Sequence, residues 1–205
     1  MMAINARNVA LGITTSTWQD LVSDFKTKTG LFPSSQYNLP SLSNPRLAGG
    51  MTWLGSDYLQ FIQAVYNRQV LAATPVTGQT LSYQQQQLSD QIASATIGSS
   101  PIVDGVGEDW HYGFGLWLEC HATAFNCNSG VDSYSSPGAY GAYPFMNVTN
   151  KFYGIIARQG ALGTFRNGYA LYSTIQPQVI QWATKSCPEL DVVTHAHRDC
   201  VYCYS

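Results

Sequence analysis

The fold is decided by residues 133–160, which read SYSSPGAYGAYPFMNVTNKFYGIIARQG. Aromatic and β-branched residues stand on both sides of a polar segment at 147–150, and this arrangement is typical of a β-hairpin. Small residues at 136–141 in the first arm fit either a bulged edge strand or a place where a ligand comes close to the backbone. The sequence therefore predicts two paired strands, the first carrying Tyr140, Tyr143, Phe145 and Met146, the second Phe152, Tyr153, Ile155 and Ile156.

The composition fits one globular domain that does not bind nucleic acid or membranes. The chain has 205 residues, of which 45% are hydrophobic and 13% aromatic, enough for a substantial core. Only 11% are charged and the net charge is −2, so no basic surface is expected for nucleic acid or an anionic bilayer. No apolar run approaches the roughly 20 residues that a membrane-spanning helix needs.

Several features predict a secreted or lumenal protein. The five cysteines stand at 120, 127, 187, 200 and 203, and charged residues are few. Asn147, Val148 and Thr149 form a glycosylation sequon, which the pattern places on the hairpin turn. The first twelve residues have neither the basic start nor the apolar core of a signal peptide. Features of a secreted protein without a signal peptide predict that the chain begins inside a longer gene product.

Helical patterns lie on either side of a long polar loop in the first third of the chain. Ser16 or Thr17 can cap a helix that ends at Gly30, and Ser56 or Asp57 can start a second one. Between them, residues 31–46 are rich in Pro, Ser and Asn and predict an ordered loop. Further along, we expect a helix at 84–87, a loop at 99–110, a strand at 112–119 and a last helix at 169–185.

The residues at the start of the hairpin carry a family resemblance. Ser136, Pro137 and Gly138 are followed by a small residue, then by Tyr140 and Gly141. This order resembles the third active-site strand of serine hydrolases related to class C β-lactamases and penicillin-binding proteins, a group that includes esterases. There the strand begins Lys-Thr-Gly, His-Thr-Gly or Trp-Gly-Gly. The glycine and the aromatic–Gly pair agree, whereas a serine stands where a cationic or aromatic side chain is usual.

Other segments extend the resemblance in the same order along the chain. Residues 14–21 resemble the family's Thr-Gly-x-x-Trp element, residues 48–61 its Ala-Gly-Gly segment and following helix, and residues 112–119 its Tyr-Gly-x-Gly-Trp strand. The resemblance implies an α/β (α+β) fold of the β-lactamase/transpeptidase type, with an antiparallel sheet flanked by helices. It also implies that residues 1–185 are the C-terminal part of one incomplete domain, followed by a Cys- and His-containing tail at 186–205.

The resemblance further implies hydrolysis of an ester or amide through an acyl-enzyme, without a cofactor. That chemistry needs a nucleophilic Ser with a Lys one helical turn later, a Tyr-x-Asn loop and an oxyanion donor. The family order places the first two motifs upstream of Met1. The chain would supply the backbone N–H of Ala139 as oxyanion donor and Ser136, Gly138 and Tyr140 as substrate-binding residues. The missing N-terminal half would then be its partner, with a small ester, amide or peptide as substrate. A non-catalytic remnant or binding module that keeps this cleft wall is the alternative.

Two motifs near the N-terminus match the family's patterns by chance. Residues 23–26 fit Ser-x-x-Lys, with Ser23 and Lys26, and residues 28–30 fit Lys-Thr-Gly. In the family these motifs come from a helix and a distant strand that meet across a cleft. Here one residue separates them within a single helix end, so we do not expect them to be catalytic.

A second apparent motif lies at residues 194–200, THAHRDC, which resembles the His-x-His-x-Asp loop of metallo-β-lactamase-fold hydrolases. A single zinc normally draws its ligands from two separated pairs, and here the candidates fall within one short segment. A polar tail tied by disulfides is the favoured interpretation, and no metal is predicted.

Cys120 and Cys127 flank the six-residue loop HATAFN directly after a predicted strand. A disulfide between them would stabilise the fold by roughly 2 kcal/mol in the chain-entropy account. We predict this disulfide for protein made under oxidising conditions; in a cytosolic protein, free thiols would be equally expected. The other three cysteines allow one pair and one unpaired thiol, and the sequence does not choose among them.

Overall fold

The structure is a computed structural model that describes residues 10, 12, 17–43, 46, 49–69, 75, 77–93, 99–121, 125–127 and 130–186. The helices are α1 (Trp18–Thr29), α2 (Gly55–Tyr66), α3 (Tyr83–Gln87), α4 (Pro101–Val106) and α5 (Phe165–Ser186). The strands are β1 (Gln36–Tyr37), β2 (Met51–Thr52), β3 (His111–Tyr112), β4 (Trp117–Glu119), β5 (Ser133–Ser135), β6 (Tyr143–Asn147) and β7 (Phe152–Ile156).

The main sheet is an antiparallel meander in the order β3-β4-β5-β6-β7, and β1 pairs with β2 in a separate ribbon. The predicted hairpin is confirmed as β6 and β7, with Phe145 opposite Gly154 and Asn147 opposite Phe152. Its first strand begins at Tyr143, later than predicted, because residues 138–142 form a tight turn closed by a hydrogen bond from the Gly138 N–H to the Ala142 carbonyl, 2.8 Å.

The predicted strand at 112–119 is wrong as a single element. It is a hairpin of β3 and β4, turned at residues 113–116, where the Gly113 N–H donates to the Leu116 carbonyl, 2.9 Å. Gly115 lies at φ +75°, which a glycine adopts without strain. Strand β5 was not predicted; it pairs with both β4 and β6 and so lies between the 111–119 hairpin and the β6–β7 hairpin.

The predicted loop at 99–110 contains the short helix α4. The Ser100 hydroxyl accepts hydrogen bonds from the N–H groups of Ile102 and Val103, and Pro101 occupies the first turn. Gly107 ends the helix in the left-handed conformation. A Ser-Pro start and a Gly stop are ordinary helix signals, and they were hidden here by the shortness of the segment.

The three longest helices that the structure describes lie close to their predicted ranges. The Thr17 side chain caps α1 in a reciprocal capping box with Asp20, and Gly30 ends it in the left-handed conformation. Helix α2 begins at Gly55, one residue before the predicted start at Ser56 or Asp57, and its N-cap residue Leu54 makes no side-chain capping hydrogen bond. Its residues Ile62 and Val65 are buried. Helix α5 covers the predicted range and extends it at its N-terminal end.

Strand β6, an interior strand of the sheet, separates two apolar cores. On one face Tyr143 and Phe145 pack with Ile102, Trp110 and Tyr172 beneath α5, the ring centroids of Phe145 and Tyr172 lying 4.1 Å apart. On the other face Met146 packs with Ile62 and Val65 of α2. The predicted antiparallel sheet flanked by helices, with the last helix on one face, is confirmed.

Some of the sequence predictions fall outside the described residues. They are most of the helix tail expected at 1–12 and the tail from 187 onward, which holds the His-x-His-x-Asp segment and three of the cysteines. Among the helices that the structure describes, none has the length and the hydropathy that crossing a bilayer requires.

Replacement of Gly168 by Ala should destabilise the protein although Ala favours helices. Gly168 is buried in the first turn of α5, and a Cβ there would overlap the carbonyl oxygen of Gly141. The gain in helix propensity is at most about 1 kcal/mol, whereas forced displacement of packed backbone costs about 1–3 kcal/mol. Urea denaturation should show a lower free energy of unfolding. Thr174→Ala, at an exposed position of α5, is the control and should be neutral or slightly stabilising; equal effects of the two changes would contradict this packing.

Candidate functional site

The four residues predicted to form a substrate site lie in the connection between β5 and β6. The Ser136 N–H donates to the Pro144 carbonyl, 3.1 Å, and the Gly138 N–H to the Ala142 carbonyl, so both amides are occupied. The Ala139 N–H has no acceptor among the described residues, and Ala139 is exposed. Tyr140 is 42% exposed beside it. A free, exposed amide is what an oxyanion donor requires, and the four roles stay predictions.

The carbonyl groups of this turn are fixed by the segment that follows β7. The Ala139 carbonyl accepts from the N–H groups of Gly163 and Thr164, at 2.9 and 3.1 Å, and the Tyr140 carbonyl accepts from the Gly160 N–H, 2.6 Å. The Arg158 guanidinium donates to the Tyr140 carbonyl, 3.2 Å, and to the Thr164 hydroxyl, 3.0 Å. The Gly138 carbonyl, which shares a peptide plane with the Ala139 N–H, accepts from the Gly141 N–H, 2.8 Å. The direction of the Ala139 N–H is therefore set before any ligand arrives.

The Ser-x-x-Lys match on α1 has a different geometry. Ser23 is exposed, and the Lys26 ammonium donates to the backbone carbonyl of Ser35, 2.9 Å. Lys28 forms an ion pair with Asp24 one turn away, 2.6 Å. These contacts tie the two lysines to their own helix and the loop after it.

A buried carboxyl group that the sequence analysis did not single out lies at the end of β4. Glu119 is 0% exposed, and the Tyr143 hydroxyl donates to both of its oxygens, at 2.9 and 3.0 Å. The Ser135 hydroxyl donates to the same carboxyl. Burial raises the pKa of Glu119 to about 7, against the opposing effects of Ser135, His121 and Tyr143. Burial also raises the pKa of Tyr143, and the neighbouring carboxyl adds to this shift.

A second carboxyl, Glu108, lies on the outer side of the same cluster. It accepts from the Tyr169 hydroxyl, 2.7 Å, and from the Trp110 indole N–H, 2.6 Å, and His121 Nδ1 lies 3.2 Å from its Oε2. Burial acts to raise the pKa of Glu108, but His121, Tyr169 and Trp110 together outweigh it, and the pKa lies below its usual value. The hydrogen bond to Glu108 raises the pKa of His121.

The two carboxyls thus differ in protonation although they belong to one cluster. Near neutral pH, Glu108 is ionised, whereas Glu119 is partly protonated because its pKa is about 7. Two carboxyls whose pKa values are driven apart in this way separate the acid and base roles in many sites. Glu119 is closed to solvent, so a ligand in solution does not reach it directly. Its sequence signal was a lone carboxylate ending the apolar run of residues 116–118. In the part of the chain that the structure describes, no group of Cys, His, Asp and Glu side chains has a metal-binding arrangement.

The predicted disulfide is present beside this cluster. Cys120 and Cys127 are bonded, with their Cα atoms 5.5 Å apart, a usual separation for the bond. His121 follows directly with φ +45°, an uncommon conformation for a residue other than glycine.

The predicted glycosylation site has an unexpected position. Asn147 is the last residue of β6, not part of the turn, and its side chain is 2% exposed. Its Oδ1 accepts from the N–H and the side-chain amide of Asn150, at 2.8 and 3.1 Å, so it closes the hairpin turn. Glycosylation at Asn147 stays a prediction, and it would require this buried side chain to leave its contacts with Asn150.

Comparison with known proteins identifies the fold. No family model and no curated protein matches the sequence. A crystal structure of a "putative beta-lactamase from Bacteroides dorei DSM 17855" matches with a TM-score of 0.57 and 22% sequence identity, over 83% of this chain. The chain spans about half the length of that protein, 53%. The match establishes that the described sheet and helices have a β-lactamase-like fold.

Replacement of Glu119 by Gln should reduce the pH dependence of stability. The pKa of Glu119 is about 7 in the folded protein and near 4.5 when unfolded, so the folded state binds more protons between these values. Stability therefore falls as the pH rises from about 4.5 through 7, by an amount on the order of 3 kcal/mol. Gln keeps an acceptor for Ser135 and Tyr143 without the charge. Thermal denaturation should show Glu119→Gln to be more stable than the parent near pH 8, and close to it near pH 5.

Two neighbouring groups shape the rest of this profile. The raised pKa of His121 gives stability that is complete below its unfolded pKa and lost as the pH rises through the folded one. The lowered pKa of Glu108 gives stability that is lost as the pH falls through its folded value. Asp24→Asn, at an exposed carboxylate, is the control and should keep the parent's slope. An unchanged slope in Glu119→Gln would show that burial of this carboxyl does not govern the profile.

Proposed function

We propose that this chain forms the sheet and the oxyanion turn of a β-lactamase-related serine hydrolase, which cleaves an ester or amide through an acyl-enzyme. The observation that carries the proposal is the N–H of the exposed residue Ala139, which has no acceptor among the described residues. It lies on a turn whose carbonyls accept hydrogen bonds from four donors of the segment at 158–164. The β-lactamase-like fold and the order of the motifs, which resembles class C β-lactamases and penicillin-binding proteins, support it.

In this proposal the turn binds the acyl group of the substrate. The Ala139 N–H donates to the carbonyl oxygen as negative charge develops on it, and the absence of a side chain at Gly138 allows the acyl group to approach. Ser136 and Tyr140 border the group on either side. A serine and a lysine on a segment outside these 205 residues would supply the nucleophile and its base. The disulfide supports a secreted or lumenal location for the protein.

A binding module is the second candidate. It is favoured by the contacts of Lys26 and Lys28, which leave neither near-match motif arranged for nucleophilic attack. Such a module would hold an acyl group at the same turn without breaking it.

The chain alone should not turn over an acyl substrate. A chromogenic β-lactam or a p-nitrophenyl ester should give no burst of product, because a nucleophile, its lysine and an oxyanion donor must act together. Stopped-flow absorbance measures the burst, and intact-mass spectrometry measures any acyl adduct. Ser23→Ala is the decisive variant: turnover by the parent chain that Ser23→Ala abolishes would make residues 23–26 the nucleophilic motif and overturn the proposal.

Loss of the Ala139 N–H should abolish most of the activity of the longer polypeptide. With the upstream coding sequence included, Ala139→Pro removes the amide hydrogen, and kcat/KM should fall by roughly 10²–10³-fold. Ala139→Ser keeps the N–H and is the matched control, which should retain activity. Equal activity in Ala139→Pro and the parent would exclude the proposed donor. Binding of the β-lactam by the longer polypeptide without an acyl adduct would favour the binding module.

A further inference from the structure

His121 occupies a position between two carboxyls that belong to different parts of the fold. Its Nδ1 lies 3.2 Å from Glu108 Oε2, and its Nε2 lies 3.8 Å from Glu119 Oε2. The imidazole is 31% exposed, whereas the Glu119 side chain is fully buried. His121 is therefore the most exposed of the three side chains, since Glu108 is 21% exposed and Glu119 is fully buried.

The two carboxyls connect His121 to the sheet and to the last helix. Glu119 accepts hydrogen bonds from the hydroxyls of Ser135 in β5 and Tyr143 in β6. Glu108 accepts a hydrogen bond from the hydroxyl of Tyr169, in the second turn of α5. The Tyr169 ring packs edge-on against Trp110, with the two centroids 5.0 Å apart. One imidazole thus bridges the layers of the domain at the start of α5.

The environment of His121 favours its protonated form. The carboxyls of Glu108, Glu119 and Asp132 act on it, and their combined effect raises the pKa of His121 against the cost of burial. The remaining titratable groups facing the cluster are the phenols of β6 and α5, Tyr143, Tyr169 and Tyr172. Without the imidazole, two carboxyls would remain close together with no counter-charge between them.

His121 directly follows Cys120, which is held by a disulfide bond. Cys120 forms a disulfide with Cys127. Phe125, two residues before Cys127, is fixed by two contacts. The Phe125 N–H donates to Asp109 Oδ2, 3.0 Å, and its ring stacks on His111 at 3.6 Å. The disulfide therefore joins the backbone just before His121 to a segment anchored on residues 109–111.

We propose that the Cys120–Cys127 disulfide makes His121 a redox-sensitive clasp, whose release on reduction uncouples the start of α5 from the sheet. A dithiol is the reductant. Its thiolate attacks one sulfur and breaks the S–S bond, and its second thiol then displaces the first cysteine as a thiol. Two electrons and two protons pass to the protein, which gains two thiols, and the dithiol becomes a cyclic disulfide. The proposal does not depend on the proposed hydrolase activity.

Hydrogen exchange followed by mass spectrometry tests the proposal on the whole chain. Exchange is compared before and after treatment with dithiothreitol at one pH, in peptides from residues 165–176 of α5 and from the hairpin at 143–156. We expect exchange in the α5 peptide to accelerate about tenfold on reduction, because a hydrogen bond to a charged group contributes that much to an equilibrium. The hairpin peptide should change little.

Two variants make the result decisive. His121→Gln, with the disulfide intact, should accelerate exchange at the start of α5 as reduction does, and reduction should then add little. Asn126→Ala, exposed within the same disulfide-bonded segment, is the control and should behave as the parent. Unchanged α5 exchange in the reduced parent would overturn the proposal, as would unchanged α5 exchange in His121→Gln. An equal acceleration in both peptides of His121→Gln would also overturn it, because that result indicates general destabilisation.

Discussion

Burial of β6 on both faces is the constraint on which the rest of this structure depends. All five of its residues are buried, with Tyr143 and Phe145 against α5 and Met146 against α2. A strand covered on both faces fixes the positions of two helices at once, because a slip of one residue would exchange their cores. The turn at 138–142 leads directly into this strand, so its position follows from the same packing.

The same strand explains why a carboxyl group is tolerated inside the domain. The Tyr143 ring lies in the apolar core, with its centroid 5.2 Å from that of Tyr172, while its hydroxyl donates to Glu119. One side chain thus packs like an aromatic residue and supplies the hydrogen bonds that a buried carboxyl needs. The raised pKa of Glu119 indicates that these bonds do not fully replace water.

Local sequence signals predicted the parts of this fold that are built from local contacts. Thr17 and Gly30 bound α1, and the aromatic residues on either side of 147–150 identified the hairpin. Strand β5 was missed because it is short and its buried positions are the two serines, Ser133 and Ser135, the reverse of an apolar-inward pattern. These residues form a strand because β4 and β6 supply partners on both sides. The candidate site divides in the same way. The turn with Ala139 was found from its motif, whereas the cluster of Glu108, Glu119 and His121 joins residues brought together only by the folded chain.

The donors that hold the turn at 138–142 belong to the segment at 158–164, which follows the second strand of the hairpin. Arg158 follows β7, the last strand in the order of the main sheet, and donates to the Tyr140 carbonyl. The residues that set the geometry of the proposed acyl site are therefore separate in sequence from those that would touch an acyl group. Related chains could diverge in substrate preference through changes in the segment at 158–164 alone, with every residue of the turn itself unchanged.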